Sequence, residues 1–254
     1  MRKLLCVALL LAFGTGVNSA ACAQGLPTGM FRLEYSTRDV VGPQMAEALS
    51  AAIDPGETLE WQVYVPATYD PARAAGVFVF VDPDGWGGMP DEYRALFDRR
   101  NMIWIGARRT VLSPKPARLV WKAILAYRAI DKDYAIDLNR LYIGSRGDGA
   151  FIAVNALLKA NEFAGAIYMN GSYFWGEQSA PELDVARRKH YVFITGTNDQ
   201  AKVQVRNDYG YYRDDGVQQA KLIYDTKKLA DPPQAEHLDE ALAFLDSRLN
   251  RQPK

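Results

Sequence analysis

Hydrophobic and polar positions along the chain predict strands that alternate with helices. Residues 59–65 alternate at period two, which is typical of a strand with one exposed face. Continuously apolar runs predict strands that are covered on both faces. These runs occupy residues 76–81, 102–106, 141–143, 166–169 and 191–194. Residues 25–54 are less regular, and we expect them to contribute an antiparallel edge.

Apolar residues at helical spacing lie between and after these strands. Val120, Ile124 and Tyr127 share one face of a predicted helix. The clearest apolar stripe belongs to the last helix, with Leu238 at its start and Leu249 at its end. Buried strands that alternate with amphipathic helices predict an α/β fold with a mostly parallel central sheet and helices on both faces. We expect one such domain over residues 24–254.

The first residues have the pattern of a signal peptide. Arg2 and Lys3 precede the apolar run 4–13, and Ala21-Cys22-Ala23 provides small residues before a cleavage site. Cleavage after Ala23 predicts export to the periplasm or the cell exterior, although a lipid anchor on Cys22 remains an alternative. No apolar run is long enough to span a bilayer of about 30 Å.

The composition excludes several classes of function. Thirty Lys and Arg balance thirty Asp and Glu, so no broad basic surface for nucleic acid is expected. Both cysteines lie in the leader, and the chain has two histidines with no metal-ligand spacing between them. The sequence therefore predicts no metal site, and nothing in it points to a cofactor.

Polar and glycine-rich segments follow three of the predicted strands. These segments are residues 82–88, 144–149 and 195–199. Parallel sheets place their functional sites at the carboxyl ends of strands. The middle segment leads directly into a helix, and strand, tight glycine turn and helix form the setting of a nucleophile elbow.

Residues 58–248 resemble the α/β-hydrolase esterases grouped with secreted polyhydroxybutyrate depolymerases and feruloyl-esterase-like proteins. The resemblance rests on the order and spacing of residues 101–106, 134–143, 163–168 and 193–199. It implies an α/β-hydrolase fold and a Ser-His-Asp triad, with the serine in a Gly-Phe-Ser-Gly-Gly turn.

Aligned with that pattern, the chain lacks two members of the triad. The family's nucleophilic serine falls on Gly147, and its histidine falls on Leu229 or on Ala230. Asp199 matches the position of the triad acid. Without a hydroxyl and an imidazole there is neither an acyl-enzyme nor a general base. The resemblance thus implies a pseudoenzyme that acts as a binding or accessory protein.

An active carboxylic-ester hydrolase is the alternative. Ser145 would serve as its nucleophile, or Asp199 would act in a non-standard constellation. Ser145 has only the second glycine of the G-x-S-x-G pattern, and a turn serine bonded to its own backbone is the simpler interpretation. Asp199 equally fits a loop or helix cap.

The two histidines are not at the family's position. His190 opens the strand 191–194 and is expected at the sheet edge opposite the site. His237 lies at the start of the last helix and is expected to be solvated. A shift of the preceding loop would be needed to direct His237 towards Asp199.

Residues at the strand ends suit a small ligand. Accessible backbone, flat apolar faces and charges predict contacts to a sugar or an aromatic ester. The predicted contacts are Asp84, Gly85, Trp86, Arg146, Asp148 and Trp175. The alternative is that these aromatic side chains fill the upper core.

Overall fold

The computed structural model describes residues 25–82, 85–107, 116–176, 180–225 and 232–249. The strands among them are β1 Gly29–Ser36, β2 Thr58–Val65, β3 Ala75–Val81, β4 Met102–Ala107, β5 Ile136–Arg146, β6 Gly165–Met169, β7 His190–Gly196 and β8 Ala220–Asp225. The helices are α1 Thr37–Ala48, α2 Arg94–Arg100, α3 Pro116–Ile130, α4 Gly149–Lys159, α5 Ala180–Arg187, α6 Lys202–Asp214 and α7 Ala235–Leu249. A 3₁₀ helix, Asp91–Tyr93, precedes α2.

All of these strands form one sheet, in the order β1-β2-β4-β3-β5-β6-β7-β8. β2 is antiparallel to both of its neighbours, and the other neighbouring strands are parallel. The predicted mostly parallel sheet with an antiparallel edge is therefore confirmed. The edge strand β1 lies within the irregular segment 25–54.

Helices cover both faces of the sheet, and this explains the continuously apolar strands. In β3, Val77 and Val79 belong to a core cluster that includes the inner side chains of α3 and α4. Phe78 lies on the opposite face, in a second cluster with residues of α2 and α7. β3 thus buries successive residues on opposite sides of the sheet, as its pleat requires. The predicted fold class is confirmed.

The sequence pattern missed two elements at the far edge. β8 has the sequence AKLIYD, and only its fourth and sixth residues are buried. α6 is rich in charged and polar residues, and only Val205, Asp208 and Tyr212 are buried in it. An edge strand and a polar surface helix carry few apolar residues, so periodicity alone gives a weak signal for both.

The register of the parallel strands brings several strand ends together. Val81 at the end of β3 is paired with Ser145 of β5, and Ser145 is paired with Tyr168 of β6. We call the edge of the sheet at these carboxyl ends the rim. Among the described residues, no helix is long and apolar enough to cross a membrane.

Candidate functional site

A left-handed glycine turn joins β5 to α4 at the rim. Gly147 has φ +50°, between the last residue of β5 and the first turn of α4. Its N–H donates to the carbonyl of Met169, and its own carbonyl accepts from the N–H of Ala150. Positive φ is readily adopted by glycine and is strained for residues with a side chain. The strand, turn and helix predicted around residue 147 are thus present.

The loop after β6 rests directly on this turn. A Cβ atom added to Gly171 would lie 2.5 Å from the Cα of Gly147, so only a glycine fits there. The next residue, Ser172, donates from its hydroxyl to Oδ2 of Asp208 at 2.6 Å. Burial raises the pKa of the Asp208 carboxyl, and the hydrogen bond from Ser172 partly opposes that shift. This bond ties the loop to α6.

Ser145 is enclosed within the sheet. It lies in β5 between β3 and β6 and has no exposed surface. Its Oγ is buried and has no hydrogen-bond partner among the described residues. The structure therefore places this side chain inside the fold rather than at the apex of the turn.

An ion pair links the ends of β3 and β5. Nη2 of Arg146 lies 3.1 Å from Oδ1 of Asp82 and donates a hydrogen bond to it. The Asp82 side chain is 4% exposed and that of Arg146 is 25% exposed. A carboxylate this deeply buried needs a charged or polar partner. The pair places one positive and one negative group at the rim.

A cavity of about 280 Å³ opens beside this ion pair. Its lining is mainly apolar, and aromatic side chains contribute to it from β3, from the loop after β3, from the 3₁₀ helix and from β4. The lining residues are Phe80, Asp82, Trp86, Gly88, Pro90, Tyr93, Trp104, Arg146, Met169, Pro232 and Pro233. A cavity with apolar walls and few polar groups is typical of a site for a small molecule. We call it the rim cavity.

The loop after β3 lines the rim cavity with Trp86 and Gly88 and lies tightly against β4. A Cβ atom added to Gly106 would lie 1.7 Å from the carbonyl oxygen of Gly87. Nε1 of Trp104 donates to that same oxygen at 2.9 Å. Gly87 has φ +68°, as the tight path of the loop requires. The contacts of Gly87 with Gly106 and Trp104 thus hold the loop close to β4.

Trp86 is the exposed aromatic residue of that loop. Its indole lies over Gly88, where an added Cβ atom would come within 2.6 Å of the ring. The residue is 61% exposed although it also lines the rim cavity. An exposed indole in this position offers a flat apolar face to a ligand in the rim cavity.

Gly85 and Asp148 line a second, smaller cavity of about 130 Å³ on the other side of Asp82. Trp86 and Arg146 line the rim cavity. Trp175 lies elsewhere, buried against Tyr191 and Tyr212, with its Nε1 donating to Asp215. The predicted ligand residues are therefore divided between two cavities and the core.

Both carboxylate oxygens of Asp199 accept hydrogen bonds from residues nearby in the chain. Oδ2 accepts from the Thr195 hydroxyl at 2.8 Å, and Oδ1 accepts from the Ala201 N–H at 2.9 Å. The side chain thus bridges the end of β7 to the residue before α6, which is the arrangement of a loop cap.

Sequence reasoning missed an acid–imidazole pair one strand further along. Nδ1 of His237 lies 3.3 Å from Oδ2 of Asp225, the last residue of β8. The His237 side chain is 19% exposed, so the expectation of a solvated imidazole is wrong. Gln234, which precedes α7, donates to Asp225 from its N–H and from Nε2, and this draws the first turn of the helix onto β8.

Three other predicted positions have a simpler outcome. His190 is the first residue of β7, at the edge of the sheet opposite the rim. Asp84 and Leu229, which were predicted to be a ligand contact and the degenerate histidine position, lie outside the described residues, as does the cleavage site after Ala23. Within the described residues, no group of three or more His, Cys, Asp or Glu side chains is placed to hold a metal ion.

Comparison with solved structures gives similarity to esterases and to a peptidase. A thermostable esterase superposes with a TM-score of 0.51 at 17% identity, covering 76% of this chain and 60% of that one. Esterase 2 of Thermogutta terrifontis, phosphonylated by cyclosarin, superposes with a TM-score of 0.54 at 17% sequence identity. The match covers 78% of this chain and 92% of the esterase. A puromycin-hydrolyzing peptidase of Mycobacterium tuberculosis superposes with a TM-score of 0.56 at 18% sequence identity. The match covers 78% of this chain and 39% of the peptidase.

The chain spans less than two thirds of the thermostable esterase and of the peptidase, and most of Thermogutta esterase 2. No protein-family model matches the sequence, and no curated protein matches it. At these identities the similarity concerns the fold alone. The chain has the α/β-hydrolase fold.

Proposed function

We propose that this chain is an exported α/β-hydrolase-fold protein, related to polyhydroxybutyrate depolymerase-like esterases, that has lost serine-hydrolase catalysis and binds a small ligand. The observation that carries the proposal is Gly147 at the left-handed turn between β5 and α4. A nucleophile elbow holds its serine at such a strand-to-helix turn. With hydrogen as its side chain, residue 147 offers nothing to attack a carbonyl carbon.

The surroundings of Gly147 support the same conclusion. Ser145, the alternative nucleophile, has a buried hydroxyl, and a substrate carbonyl would have to enter the sheet to reach it. The carboxylate of Asp199 is bonded to Thr195 of β7 and to Ala201 of the loop that follows. Neither residue is therefore arranged for ester hydrolysis through a serine.

The rim cavity supports a binding role. Its volume and aromatic lining suit one ring of an aromatic ester or of a sugar, with Trp86 as a stacking surface. The Asp82–Arg146 pair adds one acceptor and one donor group with no net charge. This balance favours a neutral ligand with a hydrogen-bonding group, such as an ester or a glycoside, because neither charge is left to select an ion.

Loss of catalysis is tested with a fluorophosphonate probe and 4-nitrophenyl acetate on protein that lacks residues 1–23. We expect no covalent labelling and no turnover above that of buffer. Labelling of Ser145, together with turnover that Ser145→Ala abolishes, would overturn the proposal and establish an esterase.

Binding is tested with methyl ferulate and 4-nitrophenyl β-D-glucopyranoside, using isothermal titration. We expect at least one of them to bind, and Trp86→Ala to weaken that binding about tenfold through the loss of a stacking face. Tyr211→Ala, which removes another exposed aromatic side chain from α6, serves as the control and should leave the affinity unchanged. Absence of binding by both compounds would contradict the proposed role.

The export part of the proposal has its own test. Expression of the full chain in a bacterial host, followed by mass analysis of the periplasmic protein, should give a chain that begins at residue 24. A lipid-modified chain beginning at Cys22 would support the anchored alternative instead. An uncleaved cytoplasmic protein would contradict export.

A further inference from the structure

One wall of the rim cavity is tied to the fold on two sides. Pro232 and Pro233 form this wall, directly before α7. On one side, the Tyr93 hydroxyl donates to the carbonyl of Pro233. On the other side, Gln234 donates to the Asp225 carboxylate from its backbone N–H at 3.2 Å and from Nε2 at 3.0 Å. The position of the wall therefore depends on Asp225.

Asp225 also joins neighbouring parts of the rim. It is 1% exposed at the end of β8, and its carbonyl oxygen accepts from the N–H of Thr197 in the loop after β7. A buried carboxylate is costly unless hydrogen bonds or an opposite charge stabilise it. The strength of its contacts with the wall is thus sensitive to any charge that comes close to the carboxylate.

His237 is the histidine that lies against the Asp225 carboxylate. Its Nδ1 is buried 3.3 Å from Asp225, without an aligned hydrogen bond to any described residue. Histidine gains a positive charge as the pH falls from 8 towards 5. At that separation an imidazolium attracts the carboxylate, whereas a neutral ring contributes little.

Three other acidic groups of α7 are paired with cations. Glu240 is paired with Lys221 of β8, and Asp239 is paired with Arg99 and Arg100 of α2. Asp246, two turns further along, contacts Arg100 and Arg140. Glu236 adds a negative charge to the first turn, next to His237 in the chain. Among these groups, Asp225 is the one whose carboxylate contacts the imidazole.

We propose that Asp225 and His237 are positioning residues for the rim cavity, which act through Gln234 to hold the wall of Pro232 and Pro233 in place and hold it more firmly when His237 is protonated. This inference rests on the proposed function, because it concerns the same binding site. Ligand affinity should then increase as the solution becomes more acidic. A ligand in the rim cavity would contact Pro232 and Pro233. Asp225 and His237 do not line the cavity and would affect the ligand only through the position of these prolines.

The test measures, between pH 8 and pH 5.5, the Kd of methyl ferulate, or that of 4-nitrophenyl β-D-glucopyranoside if only the glucoside binds. In the unmodified protein the affinity should increase about threefold on acidification, because the imidazolium acts on the wall and not directly on the ligand. His237→Gln should give a flat profile. His190→Gln, which removes the other histidine at the opposite edge of the sheet, is the matched control and should keep the threefold change.

Hydrogen exchange supplies a readout that needs no ligand. In the unliganded protein, amide exchange at residues 234–238, corrected for the intrinsic effect of pH, should be slower at pH 5.5 than at pH 8. Asp225→Asn should accelerate it, and His237→Gln should remove its pH dependence. These results support the inference even if neither methyl ferulate nor 4-nitrophenyl β-D-glucopyranoside binds, an outcome that would count only against the proposed function. An unchanged pH dependence in His237→Gln, in either measurement, would overturn the inference.

Discussion

The imidazole of His237 lies against the carboxylate of Asp225, with 3.3 Å between Nδ1 and Oδ2. The acid that follows β7, Asp199, accepts instead from Thr195 of that strand and from Ala201 of the loop. An acid–imidazole contact is therefore present at the end of β8, one strand away from the acid position that the family resemblance implies. It stabilises the segment before α7 rather than the turn at Gly147.

A side chain at residue 147 should strain the backbone. Gly147→Ser and Gly147→Ala are each expected to lower the free energy of unfolding by about 1–3 kcal/mol, because φ is +50° there. Urea denaturation measures the loss. Gly210→Ala is the control, because Gly210 lies within α6 with open space around an added Cβ. Gly210→Ala should instead raise the free energy of unfolding by about 0.5–1 kcal/mol. Equal effects at the two positions would contradict a strained turn.

Removal of the Ser145 hydroxyl should cost little stability. Its Oγ is buried without a described partner, so Ser145→Ala removes a polar group that folding leaves unsatisfied. We expect an unchanged or slightly higher melting temperature. Ser172→Ala provides the comparison, because its hydroxyl donates to the buried Asp208. This second change should cost about 1–3 kcal/mol. A large loss in Ser145→Ala would mean that its hydroxyl has a stabilising partner.

Asp208 should make stability depend on pH. Burial raises the pKa of its carboxyl, so the folded protein takes up a proton at a pH where the unfolded chain is still ionised. The ionised carboxylate thus destabilises the fold at neutral pH, and acidification relieves this effect. Asp208→Asn, which retains an oxygen to accept from Ser172, should be more stable than the parent at pH 7. Thermal unfolding at several pH values should show that difference shrinking towards low pH, and a constant difference would contradict it.

Lys189 should make the stability of the fold depend on pH in the alkaline range as well. Burial lowers its pKa to about 8, while Nζ donates to the carbonyls of Leu157 and Ala160 at the end of α4. The folded state therefore loses this proton near pH 8, whereas the unfolded chain keeps it to about pH 10.4. Stability should increase by about 1–2 kcal/mol between pH 8 and about pH 9.5. Lys189→Met should lack this increase in urea denaturation over the same range, and a parallel increase in the variant would contradict it.

The buried strands could be predicted because burial on both faces leaves a continuous apolar run, as in β3 and β4. The turn at Gly147 could be predicted because strand, glycine and helix follow one another within a few residues. Trp175 looked like a residue of the rim, six positions after β6, but its ring packs with Tyr191 and Tyr212. Local sequence does not say which way an aromatic side chain in a loop turns.

The contact between Asp225 and His237 was beyond sequence reasoning for a different reason. It joins an edge strand that carries little periodicity to a helix whose apolar stripe begins one residue after the histidine. Its geometry depends on how Gln234 reaches back to Asp225. The lining of the rim cavity by Tyr93 and Trp104 depends similarly on packing between distant segments.

The close approach of Gly87 to Gly106 bears on how variation in this protein should be interpreted. At either position an added methyl group would meet backbone atoms within 3.0 Å. Both glycines are thus demanded by steric fit, whether or not any reaction takes place above them. Glycines conserved at these two positions in natural relatives would therefore indicate the same loop conformation. Their conservation would not be evidence of selection for enzymatic activity.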